Sequence, residues 1–152
     1  MRSLISLRTR RKTKPEKGTG YICLTKYMEK HILLQMSLEA SAFFAALGHP
    51  LRLRALVLLH SEEELCVCEL THALGVSQPM ISRHLAQLRQ AGLVSDRRQG
   101  LWVHYRLDAA LPDWARQVLA VTAQGVAAEV PYAEDRDTLT TMPNRPGAAR
   151  CA

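Results

Sequence analysis

The chain has 152 residues, 47% of them hydrophobic, and a formal net charge of +6. That length suits one domain with tails, since domains commonly run about 100–200 residues. No apolar run approaches the ~18–20 residues of a membrane span, and Leu4-Ile5-Ser6-Leu7 is too short for a secretory core, which predicts a cytoplasmic chain with reduced thiols.

The charge is unevenly spread. Residues 1–35 hold nine Lys/Arg against two acids, whereas residues 36–129 hold eight against nine. The basicity therefore belongs to the leader, and DNA binding must be argued from local pattern. The stretch "RTRRKTKPEKGTG" is charged, turn-rich and nearly without apolar side chains, so residues 1–35 read as a disordered leader. Met36 is a candidate start of translation, which the intact mass of the native protein tests.

From Ser37, "SLEASAFFAALG" places Phe43, Phe44 and Leu47 at helical spacing and ends at Gly48. Pro50 opens a second helix, in which Leu53, Leu56, Val57 and Leu59 make a broad apolar face. A third, short helix covers Val67–Leu74 and stops at Gly75. Ser77 can cap a fourth helix, Pro79 is tolerated in its first turn, and it runs to about Ala91. "LVSDRRQGLWVHYRL" then reads as two strands joined at Gln99-Gly100. Pro112 starts a last helix, with Trp114, Val118, Val121 and Val126 mostly on one side. Residues 131–152, polar with Pro and Gly, read as a flexible tail. The folded domain is thus expected over residues 36–130, mainly α with a β-hairpin, in the order α-α-α-α-β-β-α.

Two short helices joined by "LGVS" fit a helix-turn-helix, whose second helix enters the DNA major groove. In "SQPMISRHLAQLRQAGLV", Ile81, Leu85 and Leu88 are spaced to pack on the core. The opposite face offers Gln78, Ser82 and Arg83, with His84 at its flank and Ser77 at the start. Gln can pair with adenine, Arg with guanine, and Ser with bases or phosphates. Arg97 and Arg98 at the hairpin tip are either solvated charges or phosphate-reaching residues of a wing. The neighbouring helix-turn-helix favours the wing, and hence a winged helix-turn-helix that binds double-stranded operator DNA.

"FFAALGHPLRLRALVLL", "ELCVCEL", "LGVSQPMISRHLAQLRQAGLVSDRRQGLWVHYRL" and "LPDWARQVL" together resemble the ArsR/SmtB family of metal-responsive repressors, over residues 38–120. Within it the likeness is to the arsenic-responsive ArsR branch. The resemblance implies a homodimer on a palindromic operator, joined through its first and last helices and released from DNA by an inducer. No membrane partner and no required cofactor follow from it.

Cys66 and Cys68 admit three readings: ordinary buried cysteines, a redox pair, or ligands for a soft metal or metalloid. The usual dithiol spacing is Cys-x-x-Cys, and the resemblance favours the metalloid, As(III) or Sb(III). Residues two apart in a regular helix point about 200° apart, so the sulfurs converge only if the helix start is frayed, extended or bent. Capture of both thiolates is then expected to distort the helix that supports the DNA reader. Some relatives carry a third cysteine where this chain has Thr71, so Cys23, Cys151, His72 or a small cellular thiol is left as a candidate third ligand. CadC-like relatives, which sense Cd(II) and Pb(II), add cysteines from an N-terminal arm. Here that arm has Cys23 alone. A zinc site of the SmtB type needs histidine in the last helix, and residues 112–129 hold Asp113 and Glu129 but none.

An enzyme is not expected. The six histidines fall in no catalytic motif, and the chain has neither a phosphate-binding glycine loop nor Gly-x-Ser-x-Gly. An arsenate reductase would also use cysteines, yet no anion-cradling loop lies near Cys66.

Overall fold

The computed structural model of the protein describes residues 38–146. The expected leader over 1–35, Met36, Cys23 and Cys151 lie outside them.

Helix α1 spans Ala40–Leu47 and turns Phe43 and Ala46 inward. Helix α2, Pro50–Glu62, begins on a proline whose missing N–H costs nothing in a first turn. It buries Leu51 and an unbroken run from Ala55 to Leu59. Such all-round burial marks a central helix rather than an amphipathic surface one, and α2 is touched by helices and strands on every side.

Strand β1, Glu64–Cys66, leads directly into helix α3, Val67–Leu74. Gly75 ends α3 at φ +65°, a left-handed conformation that costs a side-chain-bearing residue about 1–2 kcal/mol. Helix α4, Gln78–Gln90, completes the helix-turn-helix. Its Ile81, Leu85 and Leu88 are fully buried, as their i, i+4, i+7 spacing predicts. Burial of each stabilises the fold by roughly 1.5–3 kcal/mol.

Strands β2, Val94–Gln99, and β3, Trp102–Leu107, form the predicted hairpin. They are joined by Gly100-Leu101, one residue beyond the expected turn, and Gly100 takes φ +60°. Helix α5 covers Asp113–Val126. The winged helix-turn-helix expected from the sequence is the fold observed.

Two elements go beyond that expectation. β1 adds a third strand, pairing antiparallel with β3 so that Leu65 faces Tyr105 and Cys66 faces His104, in the sheet order β1-β3-β2. Three residues are too few to show a period of two, so their pairing is not visible in sequence.

The tail expected over 131–152 is corrected in its first part: Tyr132–Thr140 form a helix, α6, packed on α2 and α3. Its sequence "YAEDRDTLT" has little apolar surface, and only Leu139 is a fully buried hydrophobe. The helix is tied down instead by Asp135, which is buried and accepts two hydrogen bonds from the Arg54 guanidinium, from Nε at 2.8 Å and from Nη2 at 2.5 Å. A bidentate charged pair of this kind substitutes for a missing apolar stripe. Among the described residues no single helix is long and apolar enough to cross a membrane.

Candidate thiol site and DNA-reading surface

Cys66 ends β1 and also caps α3, with extended backbone at φ −80°, ψ 163°. Cys68 lies in the first helical turn. Because only one of the two is helical, the divergence of a regular helical pair does not arise. The Cα atoms are 5.5 Å apart and the sulfurs meet in a disulfide. The extended backbone at Cys66 is what lets two sulfurs with one residue between them converge.

Cys66 is buried, whereas Cys68 is partly exposed and opens on a cleft lined by Thr71, His72, Gln78, Trp102 and Val103. His72 thus shares a cleft with Cys68. Among the described residues, no three of His, Cys, Asp and Glu gather closely enough to hold a metal ion. Thr71 turns its hydroxyl inward and donates to the Val67 carbonyl at 2.7 Å.

One residue of the site was missed in sequence. Glu69, 1% exposed, accepts a hydrogen bond from the Cys66 backbone N–H at 2.6 Å, while its own N–H donates to Cys66 Sγ at 3.4 Å. This is a capping box with cysteine in the usual place of serine. The spacing Cys66-x-x-Glu69 at a helix start was the available signal. The second carboxylate oxygen of Glu69 accepts from Arg145 Nε at 2.9 Å, and Arg145 Nη2 donates to Glu62 at 2.7 Å.

On the DNA-reading side, Ser77, Gln78 and Arg83 are exposed and Ser82 half-buried. Ser77 stands at the N-cap of α4, but its side chain makes no capping bond, contrary to expectation. His84 is half-buried. Its ring packs on His49 with centroids 4.4 Å apart, and the Nδ1 atoms of both are buried without a hydrogen-bond partner. Arg97 lies flat on the sheet, donating to Glu64 from Nε at 2.8 Å and from Nη2 at 2.5 Å. The Arg97 guanidinium holds the Glu64 carboxyl below the usual carboxylate range. Arg98 is exposed and makes no ion pair among the described residues.

Burial, and after it the positive charges of His49, Arg52 and Arg83, lower the His84 pKa from its ordinary 6.5. The unfolded chain then binds more protons than the folded one just below pH 6.5, so folding stability falls as pH drops through that window. Thermal melts from pH 7.5 down to pH 5 are expected to show a decline in Tm that His84→Gln reduces. An equal decline in the variant would assign the effect to other groups.

Residues 49–96 match the model of the arsR family of bacterial regulatory proteins. Over 81 residues the chain is 57% identical to the arsenic resistance transcriptional regulator ArsR2 of Pseudomonas putida, covering 53% of this chain and 70% of that protein. The chain belongs to the arsR family. As a member with this winged fold it is a DNA-binding transcriptional regulator, not an enzyme. It is also 53% identical over 76 residues to the arsenical resistance operon repressor of Escherichia coli, a match that spans 50% of this chain and 65% of that one, slightly under two thirds. Among solved structures, the transcriptional repressor BigR of Xylella fastidiosa superposes with a TM-score of 0.52 at 30% identity, covering 70% of this chain and 96% of BigR. Reduced HlyU of Vibrio cholerae gives 0.52 at 30% identity, over 65% of this chain and 95% of HlyU. The arsR-family match ends at residue 96, so α6 and Arg145 lie beyond it.

Proposed function

We propose that this arsR-family protein represses an arsenic- or metalloid-resistance operon, and that As(III) or Sb(III) releases it from its operator by binding Cys66 and Cys68. The observation that carries this reading is the meeting of the two sulfurs at the N-cap of α3, the helix packed against the DNA reader α4. With both cysteines reduced, arsenite exchanges two hydroxyls, which leave as water with the thiol protons, for two As–S bonds, and these fix the separation of the sulfurs. That constraint acts on the capping box, and through α3 on the seating of α4. The arsenic-resistance names of the two relatives support the same inducer.

The protein acts on DNA as a homodimer through α1 and α5. Phe44, Trp114 and Val121 leave an exposed apolar surface on these two helices, and the Phe44 and Trp114 rings lie 6.5 Å apart. Gln78, Ser82 and Arg83 read bases, Ser77 and Arg98 meet phosphates, and Arg97 and His84 hold the wing and reader in place. Arg98→Ala is expected to weaken binding to all sequences and to reduce the salt-dependence slope by about 1. Arg97→Ala, already committed to Glu64, changes the slope less. An unchanged slope in Arg98→Ala would remove the wing from the phosphate contacts.

The convergence of the two sulfurs also suits a second reading, a redox-responsive repressor in which peroxide oxidises the two thiols to a disulfide and is reduced to water. An operator gel shift titrated in parallel with arsenite, antimonite, cadmium, lead, zinc and peroxide separates these readings. Release by arsenite and antimonite supports the main proposal. Release by peroxide alone supports the second, and release by cadmium or lead alone supports the CadC-like alternative in which Cys23 takes part.

A further inference from the structure

Arg145 stands 76 residues after Glu69 and outside the family-matched segment, yet it is the one cation hydrogen-bonded to the Glu69 carboxylate among the described residues. Its side chain is largely buried and bridges two carboxylates, Glu69 at the start of α3 and Glu62 at the end of α2. Glu69 in turn holds the backbone of Cys66. The chain reaches this point by way of α6, which is itself fastened to α2 by the Arg54–Asp135 pair. A chain of charged hydrogen bonds therefore runs from the C-terminal segment to the N-cap that carries the thiol site. Each link involves an ionised group, and such bonds are roughly twice as strong as neutral ones.

We propose that Arg145 is a positioning residue for the inducer response: it clamps the first turn of α3 through Glu69 and so sets how much inducer is needed to deform it. This rests on the reading in which arsenite acts at Cys66 and Cys68. A ligand shifts a conformational equilibrium only by its differential affinity for the two states. A clamp that stabilises the capped state therefore raises the inducer concentration at half-release. Removing it leaves the Glu69 carboxylate buried without its guanidinium, which weakens the capped state selectively.

In the full chain, Arg145→Ala is expected to lower the arsenite concentration for half-release of the operator complex about tenfold. Operator affinity without arsenite should stay within about twofold, because Arg145 lies in neither α4 nor the wing. Arg145→Lys should restore part of the wild-type threshold, since one ammonium can reach one carboxylate but cannot bridge both in a fixed fork. In a Glu69→Gln background, Arg145→Ala should add little. Hydrogen exchange at the Glu69 amide, followed without arsenic, should quicken in Arg145→Ala and slow again in Arg145→Lys. This second readout also serves if Arg145→Ala is too unstable for the gel shift, because Arg145→Lys alone should then exchange faster than wild type.

A wild-type complex that arsenite releases, with an unchanged or higher threshold in Arg145→Ala, would overturn the clamp while leaving the proposed function standing. A wild-type complex that arsenite does not release overturns both.

Discussion

Replacing Cys66 and Cys68 together with serine is expected to leave a complex that binds operator normally and no longer dissociates with arsenite. Serine at position 66 preserves the fold for a specific reason. It is among the strongest N-cap residues, and its hydroxyl can accept the Glu69 N–H that Cys66 Sγ accepts at 3.4 Å. The capping box survives the substitution while the soft ligand is lost. Loss of groups that merely orient a metal ligand typically costs about 10–100-fold in affinity, so removing the ligands themselves should raise the half-release concentration on the order of a hundredfold or more. Gel shift against arsenite, with circular dichroism to verify folding, makes the measurement. Release at the wild-type concentration would place the sensing elsewhere, and the Cys66–Cys68 site would have to be abandoned as the inducer site.

Leu85→Ala should produce a large loss of stability. Leu85 is fully buried between Ile81 and Leu88, on the face by which α4 holds to the rest of the core. Truncating a buried leucine costs about 2–5 kcal/mol, because the lost transfer energy is joined by a cavity that the surroundings only partly fill. Domains are commonly stable by only about 5–15 kcal/mol, so this one substitution removes a large share. Urea denaturation should show a lower midpoint at an unchanged slope. Operator binding should weaken only as the folded fraction falls. A cost below about 1 kcal/mol would mean that α4 is not seated on the core as described.

Much of this protein is legible before any coordinate is known. The i, i+4, i+7 row of Ile81, Leu85 and Leu88 names the inner face of the reader, and the polar residues opposite follow from it. Gly75, Gly92 and Gly100 punctuate the elements, and each takes a positive φ. "CVC" marks the thiol site because two such residues at one-residue spacing are chemically conspicuous. These features are local: period, composition and turn chemistry depend on neighbours a few residues away.

What escaped the sequence depends on partners far along the chain. β1 is a strand only because β3 offers it hydrogen bonds some forty residues later. "YAEDRDTLT" is a docked helix because Arg54 donates to Asp135 and Leu139 enters the core. Arg97 and His84 read as DNA-facing, and the structure adds contacts that the sequence does not show: Arg97 donates to Glu64, and the His84 ring lies 4.4 Å from that of His49. Most tellingly, the sequence by itself determined that two thiols stand at the start of the helix supporting the DNA reader. Only the tertiary structure decided that they converge, because pairing of β1 with β3 keeps Cys66 extended, Glu69 caps the turn behind it, and Arg145 arrives from the far end of the chain to hold that carboxylate.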